Sequence, residues 1–131
     1  MTIKNKLFNA VKLTYAFLPK IIPGNRGKRF ALESAEMLIP INSVNTRYGK
    51  IKYYCLGRIP LWRAQTLYTK EPEMIEWMDR MKENDILWDI GANVGLYSIY
   101  AGKKGVKVFA FEPSALNTFF ISKNIELNKL K

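Results

Sequence analysis

Residues 86–113 predict an α/β fold built on parallel strands, and three observations carry that expectation. Ile86-Leu87-Trp88 is an apolar, strand-like run that leads into Asp89-Ile90-Gly91-Ala92-Asn93-Val94-Gly95. A helix-like pattern leaves that bend, and a second apolar run, Val106 to Phe111, ends on Glu112-Pro113. Strand, glycine bend, helix, strand and terminal acid is the order in which α/β folds assemble a nucleotide pocket. The acids Asp89 and Glu112 stand 23 positions apart, close to the spacing at which a second-strand acid meets a ribose.

The first strand, Ile86 to Ile90, reads as a continuous apolar run, the pattern of a parallel strand covered on both faces. In the bend, Gly91 and Gly95 lack the Cβ that would block a ligand. Asn93 is one of the few residue types besides glycine that tolerates a left-handed backbone. Leu96, Ile99 and Tyr100 recur at helical spacing, and Gly102-Lys103-Lys104 lead to a stop at Gly105. Ser114 suits an N-cap for the next helix, whose expected buried stripe is Leu116, Phe119, Phe120 and Leu127.

The glycine pattern narrows the ligand. Two glycines with Ala92-Asn93-Val94 between them do not make the three-glycine dinucleotide fingerprint, which disfavours NAD. No Lys-Ser/Thr follows, so the bend is not an ATPase-type phosphate loop. Asp89 would repel a pyrophosphate but suits a ligand with an ammonium and a sulfonium, such as S-adenosylmethionine. A turn or cap carboxylate without a ligand is the other reading of Asp89. For Glu112, a ribose contact competes with a plain surface acid at a strand end.

Upstream, residues 2–22 are expected to form a helix. Ile3, Leu7, Ala10, Val11, Thr14, Phe17, Leu18 and Ile21 recur at helical spacing, and Lys4, Lys6, Lys12 and Lys20 fall largely elsewhere. An interfacial helix on an anionic membrane and a helix packed on the domain both fit this pattern. Residues 23–27 carry loop punctuators, and residues 37–56 look β-rich, with a turn at Tyr48-Gly49. There Ile51, Tyr53 and Cys55 alternate with Lys52, Tyr54 and Leu56. Residues 72–82 predict a second amphipathic helix with Pro72 in its first turn and a stripe of Met74, Trp77, Met78 and Met81.

The whole composition fits a packed protein: 131 residues, 48% hydrophobic and 13% aromatic. The lone cysteine, Cys55, excludes an intrachain disulfide and reads as a small core hydrophobe. No histidine is present, so a histidine-based catalytic pair is excluded, and no metal site is expected. The net charge of +10 is uneven. Residues 1–58 hold 11 Lys/Arg against 2 Asp/Glu, whereas residues 59–131 hold 10 against 9. The basic excess therefore belongs to the N-terminal segment, which suits an acidic partner, a membrane face or nucleic acid, or merely a solvated surface.

The stretch 85–130, with Asp89, Gly91, Asn93, Gly95, Glu112 and Pro113, closely resembles the opening of the FkbM family of methyltransferases. Residues 63–77, RAQTLYTKEPEMIEW, resemble the segment that precedes that domain in one branch of the family. The resemblance implies methyl transfer from S-adenosylmethionine to a hydroxyl of a saccharide or polyketide-like acceptor. It also implies that Asp89, Gly91, Ala92, Asn93, Gly95, Glu112 and Pro113 hold the cofactor, while no catalytic base is identified. Lys70 and Glu71 could gate the same site.

The expected architecture is then an incomplete Rossmann-like methyltransferase fold, α/β, with its first two parallel strands and their helices in residues 59–131. A basic helix and a small β-rich segment in residues 1–58 precede it. Such a chain is expected to be the opening of a longer domain, in a cytoplasmic setting with membrane contact through residues 2–22 as a variant. An open sheet edge is expected to favour aggregation, weak cofactor binding and no turnover by the isolated chain. Methylation of RNA, and a non-enzymatic or split half that docks on a partner chain, are the alternatives. Nucleic acid is disfavoured because no stacking surface of aromatic and basic residues stands out.

Overall fold

The computed structural model describes residues 3–22 and 24–131, within which a few side chains of the first helix lie outside the description. The chain divides into two compact units, residues 1–39 and 40–131. In the first unit, α1 (Ile3–Ile21) packs against α2 (Asn25–Met37). The helix expected over 2–22 is present from Ile3; Leu7 and Leu18 of its expected stripe fall outside the described side chains. The loop expected over 23–27 is shorter than its composition suggested. Pro23 lies outside the described residues, and α2 begins at Asn25, with Gly27 buried inside it. A glycine buried within a helix lets a neighbouring helix approach closely, and this use competes with its role as a breaker.

The second unit opens with an antiparallel hairpin, β1 (Ile41–Thr46) and β2 (Gly49–Tyr54), paired from Ile41 with Tyr54 to Thr46 with Gly49. Gly49 adopts φ 96°, and the Thr46 hydroxyl donates to the Gly49 carbonyl while accepting from the Tyr48 N–H. The alternation read from the sequence is realised: Ile51, Tyr53 and Cys55 are buried. Burial pushes the Cys55 thiol above its ordinary range, which makes it an inert core residue. The hairpin packs with the residues that follow it and belongs to the second compact unit.

Next come α3 (Arg58–Gln65) and α4 (Pro72–Arg80), then β3 (Ile86–Ile90), α5 (Leu96–Lys104), β4 (Lys107–Phe111) and α6 (Ala115–Asn128). β3 and β4 are parallel, in register from Ile86 with Lys107 to Ile90 with Phe111. Among the described residues the fold is thus mixed α/β, with two two-stranded sheets. Gly105, at φ 99°, caps α5 as expected, and Ser114 accepts from the Asn117 N–H as the N-cap of α6.

Three burial expectations are corrected. Leu87 is buried on β3, but Ile86, Trp88 and Ile90 are exposed, so one face of the strand is covered among the described residues and the other carries Trp88 against Phe109 and Phe111. On α4 the buried pair is Ile75 and Met78, with Met74 and Trp77 exposed. On α6 the buried residues are Phe120, Ile121, Asn124 and Asn128, whereas Leu116 and Phe119 are exposed and Leu127 is half-buried.

Two polar devices lock the unit. Asp79 accepts from the hydroxyls of Tyr48 (2.9 Å) and Tyr100 (2.8 Å) and pairs with Arg47 at 3.2 Å, tying the hairpin to α4 and α5. On the open side of β2, asparagines of α6 stand in for a neighbouring strand. The Lys52 N–H donates to Asn128 Oδ1 (2.9 Å), Asn128 Nδ2 donates to the Lys52 carbonyl (2.6 Å), and the Tyr54 N–H donates to Asn124 Oδ1 (2.7 Å). Backbone groups that would otherwise be unpaired beneath the helix are satisfied.

Candidate functional site

The bend between β3 and α5 is anchored at both ends. The N–H groups of Gly91 (2.8 Å) and Ala92 (3.1 Å) both donate to the Phe111 carbonyl, so the bend is fastened to the tip of β4. Gly91 has φ 81°, and a Cβ built there would meet nothing within 4 Å. Its backbone therefore faces open space, and the positive φ, not crowding, is what requires glycine. Gly95 differs: at φ 77°, a Cβ would come within 3.1 Å of Ile121 Cγ1, so its bareness lets α6 close on the bend. Asn93 takes the left-handed conformation at φ 53°, and its Oδ1 accepts from the Val94 N–H.

Glu112 sits at the centre of the bonds around the bend. Its Oε2 accepts from the Asn93 N–H at 2.7 Å, and its Oε1 accepts from the Ser114 N–H at 2.9 Å and from Asn117 Nδ2 at 3.2 Å. The Ser114 N–H, with Asn117 and Asn93 adding to it, holds the Glu112 carboxyl below the usual carboxylate range, against an opposing desolvation. A carboxylate offers about four lone-pair sites, so three are taken and Oε2 retains one for an outside donor. Pro113 lies exposed between Glu112 and Ser114.

Asp89 is the last residue but one of β3, paired with Ala110. Successive strand residues alternate faces, so Asp89 shares the side of Leu87 and Ala110, the side on which α5 packs. Its Oδ2 accepts from the Ser98 hydroxyl at 2.5 Å. Asp89 also lines a cleft of about 270 Å³ with Ile90, Tyr97, Met74 and Trp77. The Tyr97 hydroxyl, on the wall of that cleft, donates to Glu71 Oε2 at 2.9 Å, and Lys70 pairs with Glu71 Oε1 at 2.5 Å. Lys70, then Tyr97, lowers the Glu71 carboxyl, while burial and Glu71 raise the Tyr97 phenol well above its ordinary value. A wider cleft of about 740 Å³ opens on the other side of the bend, walled by Val94, Leu116, Asn117, Phe120, Pro60 and Trp62.

The structure therefore gathers Gly91, Ala92, Asn93, Glu112 and Pro113 at one place. Asp89 stands at the neighbouring strand tip beside its own cleft, and Gly95 serves the packing of α6. Sequence reasoning missed Ser98, Tyr97 and Asn117, which bind the acids, and Asn124, whose Nδ2 donates to the Val94 carbonyl at 2.8 Å. A signal for Asn124 and Asn128 was present: asparagines on the apolar stripe of a helix point to backbone partners elsewhere. Among the described residues no group of acids and cysteine could hold a metal ion, and no helix is long and apolar enough to cross a membrane. In chemical terms the site offers a fixed carboxylate with spare acceptor capacity, bare backbone beside it, and a second carboxylate at the adjacent strand tip.

Comparison with known proteins adds a consistent theme. Over 76 residues, 58% of its length, the chain is 36% identical to the tRNA (guanine(37)-N(1))-methyltransferase of Leishmania major, of which it spans 11%. Over 54 residues, 41% of its length, it is 33% identical to the hexuronic acid methyltransferase AglP of Haloferax volcanii, of which it spans 22%. Over 83 residues, 60% of its length, it is 34% identical to the methyltransferase sdnD of Sordaria araneosa, of which it spans 30%. No family model matches the chain, and no solved structure matches it. The chain spans less than a third of the length of these curated relatives, and what it is similar to in each is a methyltransferase.

Proposed function

We propose that this chain carries the cofactor-binding part of an S-adenosylmethionine-dependent methyltransferase with a Rossmann-like core of FkbM type, acting on a hydroxyl of a saccharide or polyketide-like acceptor. The observation that carries the reading is Glu112: its Oε2, bonded to the Asn93 N–H, keeps a free lone pair in the same bend that holds the bare Gly91. A ribose hydroxyl donates to that lone pair. The second hydroxyl shares Oε1 with Asn117, whose 3.2 Å bond is the longest of the three and the easiest to give up. Asp89 accepts from the ligand's ammonium, with Ser98 fixing the carboxylate. The apolar wall of Leu116, Phe120 and Trp62 suits the attached base. When bound, S-adenosylmethionine supplies a methyl group on a positively charged sulfur. The residues of this chain bind and orient it and present acidic oxygens, and none of them is assigned as the base.

Methylation of a tRNA guanine is a second reading, favoured by the identity to the Leishmania enzymes over more than half of this chain. Transfer of label from S-adenosylmethionine into tRNA, with none into saccharide acceptors, would select it. The cofactor reading itself is tested by titrating the chain with S-adenosylhomocysteine, read by amide NMR. Saturable shifts at Gly91, Asn93 and Asn117 are expected, and Glu112→Ala should weaken binding by at least about tenfold. Equal affinity of wild type and Glu112→Ala would remove the assignment.

A further inference from the structure

Residues 3–39 present a surface that the cofactor reading does not use. Among their described residues only Gly27 is buried. Large apolar side chains stand in solvent instead: Ile3 is 86% exposed, Leu13 57%, Phe17 53%, Ile21 73%, Leu32 66% and Met37 87%. On α1 these side chains make one stripe. Ile3 and Ile21 lie 18 residues apart, five whole turns at about 3.6 residues each, and Phe17 and Leu13 lie to one side of their line. Lys20 falls at the edge of that stripe and Lys6 between Phe17 and Leu13, and Lys20 Nζ rests 5.6 Å from the Phe17 ring centre. α1 contains no acid. Across residues 3–39, seven Lys/Arg face two acids, Glu33 and Glu36, and Glu33 is engaged by Arg29 at 2.7 Å.

We infer that the α1–α2 pair is an interfacial anchor that lies on an anionic lipid surface, with Ile3, Leu13, Phe17 and Ile21 entering the headgroup–acyl boundary and the lysines meeting lipid phosphates. The charge selects the class of occupant and the apolar stripe selects within it. Nucleic acid would use the cations but leave the aliphatic stripe in water. A neutral protein groove would cover the stripe but leave the cations without counter-charges. An anionic bilayer satisfies both, because apolar burial and lysine–phosphate attraction act at the same depth. The chain would thereby be held near acceptors presented at a membrane.

The test is co-sedimentation of the full 131-residue chain with phosphatidylcholine vesicles, with and without phosphatidylserine. Binding to anionic vesicles is expected to exceed binding to neutral ones by at least about tenfold and to fall with added salt. Phe17→Asp, at an exposed position, should lower partitioning at least about tenfold with helicity by circular dichroism unchanged. Should Phe17→Asp unravel α1, the double variant Lys6→Gln/Lys20→Gln keeps the apolar side chains of the stripe and must still weaken anionic binding. No binding to anionic vesicles overturns the proposal. So does binding indifferent to both variants, or retention by tRNA in place of vesicles.

Discussion

Replacing Asn124 with alanine should damage both the fold and the bend beside Gly91. Asn124 is 1% exposed, and its amide spans two elements: Oδ1 accepts from the Tyr54 N–H at 2.7 Å, and Nδ2 donates to the Val94 carbonyl at 2.8 Å. Truncation strands one fully buried carbonyl and one partly buried N–H. Each stranded group costs about 1–3 kcal/mol, and the Tyr54 group sits at the lower end because water can reach it, so the total is about 2–4 kcal/mol. Against the ~5–15 kcal/mol of an ordinary domain this is a large fraction. Asn124→Asp should not rescue it, since the second oxygen would then face the Val94 carbonyl. Ser122→Ala on the exposed side of α6, where the hydroxyl bonds only to the Thr118 carbonyl, is the control and should stay within about 0.5 kcal/mol. Urea unfolding followed by tryptophan fluorescence and far-ultraviolet circular dichroism measures all three. A loss under about 0.5 kcal/mol for Asn124→Ala, with an unchanged denaturant slope, would refute the claim that α6 supplies the missing neighbour of β2.

Two further outcomes follow from the polar network. Glu112 and Glu71 are both held below the usual carboxylate range, Glu112 chiefly by the Ser114 N–H and Glu71 chiefly by Lys70. The unfolded chain therefore takes up their protons first. Their contribution is present above the unfolded value of about 4.3 and is lost as pH falls through the lower folded values. Thermal melts between about pH 5 and 2 should show this loss, and it should be smaller in Glu112→Gln; an identical acid slope in wild type and variant would contradict the assignment. Asp79→Ala strands the Tyr100 hydroxyl, on a residue at 0% exposure, and the half-buried Tyr48 hydroxyl. A loss of about 2–4 kcal/mol in urea unfolding is expected, and Arg47→Ala, on the solvent side of the same acid, should cost under about 1 kcal/mol. Equal losses for the two variants would contradict the hydroxyl argument.

The run from Ile86 to Pro113 was legible without coordinates because everything that shapes it is local. Apolar strand residues, two glycines, a left-handed asparagine and a glycine stop act within the length of one strand–helix–strand unit, and β3, α5 and β4 form there. The hairpin was legible for the same reason, since Ile51, Tyr53 and Cys55 alternate with Lys52, Tyr54 and Leu56 after a glycine bend. α2 was not, because Gly24 and Gly27 are breakers by local rule, yet Gly27 is buried inside the helix.

Tertiary structure alone decided which faces are covered and which partners the acids keep. Nothing in the spacing of Met74, Trp77 and Met78 says that Ile75 turns inward, because a short helix has several apolar arcs and its neighbours select one. The bonds from Asn128 to Lys52 bridge 76 positions and those from Asn124 to Tyr54 bridge 70, distances over which no periodicity carries information. Glu112 is the plainest case. Its type and place were set by the sequence, but the three donors that orient it and leave one acceptor site open come from a bend, a cap and a helix that meet only in the folded chain.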